Sequence, residues 1–207
     1  LVLNPPVLLL DEPVSALDEA TRNRVCTLLK NIQQEMNLTV IQVSHNLEEA
    51  FSVADAAAIL SDGQLLQVAP LRKLLRKPAN TTVADFMRCE NIFEAECISP
   101  AKSGGTSAEV QGVRIKLPGR HESKIHFMIR PEDILVDSPG SDSANAENQI
   151  RLKVCSAADY GAFIRTRFGG SLSLTAHLSH GLSSQLHLET GKEFCLTLPT
   201  DNIHVMP

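Results

Sequence analysis

The sequence is poor in aromatic residues and has no apolar stretch long enough to cross a membrane. Its 207 residues include no tryptophan and one tyrosine, and the net charge is −5. Base stacking on aromatic rings is therefore a weak explanation of its function, and the negative charge argues against general nucleic-acid binding. Because no window of about 18 apolar residues occurs, we expect no membrane-spanning helix. No signal peptide is recognisable either.

The five cysteines are scattered and form no C-x-x-C pair. An odd, dispersed set fits a reducing compartment better than a disulfide framework. We therefore predict a cytoplasmic protein with free thiols. Hydrophobic residues make up 43% of the chain, enough to build real cores, and the length allows one or two domains.

Two adjacent carboxylates end an apolar run near the start of the sequence. Leucines at positions 8–10 are followed by Asp11, Glu12 and Pro13. A continuous apolar run is typical of a buried parallel strand, and ligands of open α/β sheets bind at the carboxyl ends of such strands. At that position one carboxylate can hold a hydrated Mg²⁺ on a nucleotide. The other can orient or deprotonate a water that attacks a γ-phosphate.

A helix and a second strand complete a βαβ unit around these acids. The second strand is predicted at 39–43 and is followed directly by Ser44 and His45. This connection brings His45 to the same sheet edge as Asp11 and Glu12. The intervening helix is predicted from apolar residues at near-helical spacing, which are Val25, Leu28, Leu29, Ile32 and Met36.

Together these motifs resemble the Walker B motif, D-loop and switch histidine of ABC-transporter ATPase subunits. The resemblance implies that Asp11 binds Mg²⁺ through water, that Glu12 orients the attacking water and that His45 contacts the γ-phosphate. Ser15 and Asp18 match the D-loop, which touches the opposite subunit of the ATP-bound dimer. Asp18 also suits the cap of the following helix, a structural role sufficient to explain it.

Two motifs of the same family do not occur in these 207 residues. There is no G-x-x-x-x-G-K-[ST] phosphate loop and no Leu-Ser-Gly-Gly-Gln signature. In the family both precede Walker B, so we interpret the sequence as the later part of an ATPase domain joined to a C-terminal region. We expect residues 1–70 alone to bind ATP poorly and to expose apolar surface.

The second part of the sequence changes from α/β to all-β character. From about Cys89, short alternating segments are separated by glycine, proline, serine and asparagine, which is typical of small β-barrels. Glu-Asn-Ile-Phe at 90–93 and Ile-Arg-Pro-Glu-Asp-Ile at 129–134 resemble the TOBE regulatory domain of importer ATPases. We predict an α/β domain with a helical connector over 1–88, followed by TOBE/OB-like modules over 89–207, divided into 89–137 and 148–207.

The last segment, 148–205, resembles the oxyanion-binding modules of molybdate and tungstate systems. This resemblance implies a regulatory anion site formed by Ser143, Asn145, Asn148 and Lys153. A family pattern close to Ser-Ala-Arg-Asn lacks its arginine here, so an ordinary polar loop is the alternative.

The combined prediction is the ATP-hydrolysing subunit of an importer for an oxyanion such as molybdate or tungstate. It implies ATP and Mg²⁺ as cofactors, and a second copy and transmembrane permease subunits as partners at the cytoplasmic face of the membrane. Sulfate, iron, polyamine or sugar import is an alternative. A non-catalytic anion-sensing or dimerisation module is another.

Overall fold

The computed structural model describes residues 5–100, 105–138 and 147–206. The chain forms two compact units, Leu1–Lys73 and Leu74–Pro207. This division precedes the predicted boundary at 88. The reason lies in helix α4 (Thr81–Phe86), whose Ala84 shares a buried cluster with Met128 and Met206 of the β-rich unit. No helix in the described parts of the chain is long and apolar enough to span a membrane.

The α/β unit contains a parallel pair of strands, two helices and a hairpin. Strands β1 and β2 pair in parallel, with Val7 opposite Thr39 and Asp11 opposite Val43. The hairpin turns at Asp62 and Gly63, both at positive φ, as expected for an Asp-Gly turn. The element bounds are β1 Val7–Asp11, α1 Glu19–Glu35, β2 Thr39–Val43, α2 Leu47–Val53, β3 Ala57–Ser61 and β4 Gln64–Ala69; helix α3, Leu71–Arg76, contains the division between the units.

Helix α1 begins at the predicted cap. The side chain of Asp18 accepts a hydrogen bond from the backbone N–H of Thr21 at 3.0 Å. The predicted apolar stripe is partly buried except for Leu28, which is 56% exposed. Leu28 lies at the margin of the stripe, and Cys26 is instead the buried residue of this helix.

One face of the β1–β2 pair is uncovered and apolar. Val7, Leu9, Ile41 and Val43 all lie on this face, and Leu9 is 71% exposed. Parallel sheets are normally covered on both faces. The apolar surface expected from the sequence is therefore present in the α/β unit.

The β-rich unit contains two five-stranded antiparallel sheets around one core. Three phenylalanines, Phe127, Phe168 and Phe194, are fully buried in it. The predicted succession of an α/β part and an all-β part is confirmed. The strands are β5 Asn91–Pro100, β6 Thr106–Val110, β7 Val113–Leu117, β8 Ile125–Ile129, β9 Leu135–Asp137, β10 Gln149–Asp159, β11 Ile164–Gly169, β12 Leu174–Leu178, β13 Glu193–Thr197 and β14 His204–Met206, with helix α5 at His180–Leu186.

The two sheets exchange strands, so the predicted modules 89–137 and 148–207 are not separate sheets. Their orders are β14-β8-β5-β6-β7 and β12-β11-β10-β13-β9. Strand β14, from the end of the chain, pairs with β8 of the first module. Strand β9, from the first module, pairs with β13 of the second. Alternating patterns predict strands but do not show which strands pair.

A buried asparagine joins the two halves of the β-rich unit. Asn91 is 2% exposed. Its Nδ2 donates to the carbonyl of Thr175 at 2.8 Å, and its Oδ1 accepts from the N–H of Thr175 at 2.8 Å. The same Nδ2 lies 3.3 Å from the carbonyl of Ile129. The side-chain amide of Asn91 thus hydrogen-bonds backbone groups of Ile129 in one sheet and of Thr175 in the other. Without it, these buried groups would need another hydrogen-bond partner.

Candidate functional site

The two carboxylates predicted to be functional lie at the carboxyl end of β1. Asp11 is the last residue of the strand and is exposed. Glu12 follows with φ of +43°, and its N–H donates to the carbonyl of Val43 at 3.0 Å. Positive φ is uncommon for a residue with a side chain and is often found at functional sites. The turn starts the chain away from the sheet immediately after the acid pair.

His45 approaches Glu12 directly. The distance from Nδ1 of His45 to Oε1 of Glu12 is 3.0 Å, across 33 residues of sequence. The imidazole side chain is 72% exposed and the carboxylate side chain 45% exposed. The pair is therefore open to a ligand and its two members can orient one another.

Asp11 offers a single carboxylate for a metal. Among the described residues, no group of three or more His, Cys, Asp or Glu side chains is placed to hold a metal ion. A hydrated Mg²⁺ bound to nucleotide phosphates needs only one or two protein carboxylates, because waters and phosphate oxygens complete its octahedral shell. The donor set at Asp11 fits this mode of binding, and it does not fit an all-protein metal cage.

Ser15 and Asp18 both have local structural contacts. The hydroxyl of Ser15 donates to the carbonyl of Glu12 at 3.1 Å, which stabilises the turn after the acid pair. Hydrogen bonds from Thr21, through its side chain and its backbone, lower the pKa of Asp18. Asp18 is therefore held as a carboxylate at the start of α1, where the helix dipole also favours negative charge.

Asn46 caps helix α2. Its Oδ1 accepts from the N–H groups of Glu48 and Glu49, at 2.9 and 3.3 Å. This geometry makes Asn46 the N-cap of α2.

The sequence did not reveal the role of Glu49. This side chain is 5% exposed, and it accepts hydrogen bonds from Gln42 and, at 2.7 Å, from the hydroxyl of Ser44. The only sequence signal is an acid within the short helix that follows His45. Its burial depends on contacts with β2 that a local pattern does not show.

The predicted anion residues are not brought together among the described residues. Ser143 and Asn145 lie outside them. The side-chain amide of Asn148 binds backbone groups: it accepts from the N–H of Lys116 at 2.7 Å and donates to the carbonyls of Lys116 and Leu198. Lys153 is exposed on β10.

An open cavity of about 530 Å³ is lined by Lys116 and Thr200, both of which are hydrogen-bonded to Asn148, and its walls carry both signs of charge. Lys116 Nζ binds both carboxylate oxygens of Glu147, at 2.6 and 2.8 Å. Asp201 also lines the cavity. The ammonium group is therefore already paired with a carboxylate of the same chain.

No family model matches the sequence. Two molybdate/tungstate import ATP-binding proteins, both called WtpC, are each 32% identical to it; they come from Pyrococcus abyssi and Pyrococcus horikoshii. The alignments cover 99% and 100% of this chain, and 58% of each relative. The predicted resemblance to ATP-binding subunits of ABC importers is confirmed.

The resemblance to these subunits extends beyond one kind of cargo. The spermidine/putrescine import ATP-binding protein PotA of Mycoplasmopsis synoviae is 30% identical over 212 aligned positions, which cover 100% of this chain and 43% of that protein. The chain therefore spans about half the length of the curated relatives it matches.

A solved structure of ModG, described as a cytoplasmic molybdate-binding protein, matches 57% of this chain and 97% of its own. The TM-score is 0.45 and the identity 13%, a likeness too low to bear on fold or function.

Proposed function

We propose that this chain supplies the water-activating carboxylate and the γ-phosphate-sensing histidine of an importer's ATP-hydrolysing subunit. The contact of 3.0 Å between Glu12 and His45 at the end of two parallel strands carries this proposal. Phosphoryl transfer needs a positioned water and stabilisation of charge rather than covalent chemistry. An exposed carboxylate beside an exposed imidazole can position the water and can supply part of the charge stabilisation.

Each residue has a separate task in this mechanism. Asp11 would hold a hydrated Mg²⁺, which when bound would neutralise charge on the phosphates. Glu12 accepts a hydrogen bond from the attacking water and aligns it. When Nδ1 of His45 donates to Glu12, Nε2 of the ring remains for the γ-phosphate; it donates to a phosphate oxygen when it carries a proton.

Phosphate binding requires residues outside these 207. No phosphate-loop motif occurs in the sequence, so these residues provide no lysine and no nest of backbone N–H groups for the β- and γ-phosphates. The uncovered apolar face formed by Val7, Leu9, Ile41 and Val43 supports this, since a complete α/β domain would cover it. Ser15 and Asp18 are assigned to contact with a second copy, and permease subunits complete the assembly at the cytoplasmic face of the membrane.

The 207-residue chain by itself should neither hydrolyse ATP nor bind it with a dissociation constant below about 1 mM. The missing phosphate contacts are the reason. Titration calorimetry with Mg-ATP checks this on the purified chain. A micromolar dissociation constant would show that phosphate binding does not need the missing motif.

We further infer that the cargo is an oxyanion of the molybdate or tungstate type. The support is that two relatives named as molybdate/tungstate import ATP-binding proteins align with nearly the whole chain. Polyamine and iron importers also match, the latter represented by FbpC of Rhizobium etli at 38% identity over 144 residues. Uptake by cells that depend on the complete gene distinguishes these cargoes: tungstate or molybdate accumulation should fall when Glu12 is replaced by glutamine.

A regulatory anion site near Asn148 is the second function that we propose. The four residues assigned to it are Ser143, Asn145, Asn148 and Lys153, and the cavity beside Asn148 has room for a tetrahedral anion. Because Glu147 already neutralises Lys116, an entering anion has to displace this carboxylate. The alternative, a module that only dimerises, requires no anion.

The anion proposal predicts weak binding that improves when Glu147 is neutralised. Equilibrium dialysis of the 207-residue chain against molybdate, tungstate, sulfate and phosphate measures it. Glu147→Gln should tighten binding about tenfold, since it removes one competing charge. Glu189→Gln, an equal charge change at another exposed position, is the control. If neither the wild type nor Glu147→Gln binds any of the four anions at millimolar concentration, only the dimerisation role remains.

A further inference from the structure

Glu49 is the one buried charged side chain among the residues the structure describes, and it lies close to the candidate site. It is 5% exposed and belongs to the first turn of α2. Burying a carboxylate is costly unless hydrogen bonds compensate for the lost water. Gln42 from β2 and Ser44 from the following loop each donate to one of its oxygens. Glu49 therefore ties the helix to the strand end that precedes His45.

The same hydrogen bonds continue through the backbone on both sides of His45. The hydroxyl of Ser44 donates to Glu49 at 2.7 Å and accepts from the N–H of Asn46 at 3.0 Å. Both neighbours of His45 in the chain are thus attached to one buried carboxylate, Ser44 directly and Asn46 through the Ser44 hydroxyl. A chain of hydrogen bonds of this kind fixes a loop more firmly than its separate members.

The imidazole itself has little packing to hold it. The side chain of His45 is 72% exposed, and its contact with Glu12 is the hydrogen bond that the structure shows for it. Its place beside Glu12 is therefore set mainly by the backbone that carries it. We propose that Glu49 is a positioning residue, which holds the 44–46 segment so that His45 faces Glu12. The inference rests on the proposed function for its importance in hydrolysis, but the geometry is testable without ATP.

Replacement of Glu49 by glutamine, which has nearly the same shape, tests this positioning role. Glu49→Gln removes the charge that strengthens the hydrogen bonds from Gln42 and Ser44, and one of these two partners must rotate to accept from the new N–H₂ group. The double variant Gln42→Glu with Glu49→Gln exchanges the two residues. The amide N–H₂ at position 49 then donates to the carboxylate at position 42, and the amide oxygen at position 49 accepts from the hydroxyl of Ser44. Glu48→Gln removes the same charge from the neighbouring exposed position and is the matched control.

The direct readout is the ¹⁵N chemical shift of His45 Nδ1 in the 207-residue chain. The difference between wild type and Glu12→Ala defines the signal of the His45–Glu12 contact. We expect Glu49→Gln and Ser44→Ala to lose most of that signal, the exchanged pair to recover it, and Glu48→Gln to keep it. The amide of Asn46 should exchange with solvent about tenfold faster in Glu49→Gln, since its hydrogen-bonded acceptor is loosened.

A wild-type His45 signal in Glu49→Gln overturns the proposal. If Glu49→Gln does not fold, the other two variants test the proposal. A His45–Glu12 contact retained in Ser44→Ala overturns it. Loss of this contact in an exchanged pair that folds also overturns it.

The complete protein tests the consequence for hydrolysis. Glu49→Gln should lower kcat with little change in KM for ATP, and it should have no further effect in a His45→Ala background, because both changes act through one side chain. Equal effects in both backgrounds would show that Glu49 acts independently of His45. Absence of ATP turnover in the wild-type complete protein would refute the proposed function while leaving the spectroscopic result on Glu49 intact.

Discussion

Replacement of Glu12 by glutamine in the complete protein should slow ATP hydrolysis by about 10²–10⁴-fold, the usual contribution of a positioned general base. Glutamine keeps the shape of the side chain but removes the charge that aligns the water. ATP binding should be nearly unchanged, because Glu12 is not assigned to the metal or to the phosphates. Steady-state phosphate release and equilibrium ATP binding, measured on the same preparation, separate the two effects.

The control for this prediction is Glu19→Gln. Glu19 is an exposed acid in the first turn of α1, close in sequence but without an assigned catalytic role. Its replacement should change turnover less than twofold, a limit consistent with the small effects of most surface substitutions. Near-normal turnover in Glu12→Gln would remove Glu12 from the mechanism, whatever the control shows.

The second large effect is expected on stability. Asn91→Ala should destabilise the β-rich unit by about 2–4 kcal/mol, since it leaves the buried N–H and carbonyl of Thr175 without their partner. Asn202→Ala, at an exposed position of the same unit, should change stability by less than about 0.5 kcal/mol.

Native-state hydrogen exchange is the suitable measurement, because the chain forms two compact units that need not unfold together. Backbone amides of Phe127 and Phe168, both in the core of the β-rich unit, report that unit alone. Unchanged protection of these amides in Asn91→Ala would show that the asparagine contributes little to stability.

The parts of the fold that depend on local patterns were predictable from the sequence. The apolar run ending in Asp11 and Glu12, the cap at Asp18 and the turn at Asp62 each follow from a few adjacent residues. The approach of His45 to Glu12 was also expected, since a βαβ unit places the ends of its two strands at one edge.

Other features depend on residues far apart in the chain. Asn91 and Thr175 are 84 residues apart, and no sequence pattern near either residue indicates that they form hydrogen bonds. The exchange of β9 and β14 between the sheets has the same origin, because strand pairing is decided by the whole unit. The burial of Glu49 and the pairing of Lys116 with Glu147 likewise require the folded structure.

The measurement that tests the central proposal most directly is Mg-ATP turnover by the complete gene product, compared with the 207-residue chain. We predict steady-state hydrolysis by the complete protein, strong loss of hydrolysis in its Glu12→Gln variant, and no turnover above background by the 207-residue chain. Hydrolysis by the 207-residue chain alone, or a complete protein whose turnover does not depend on Glu12, would contradict the account.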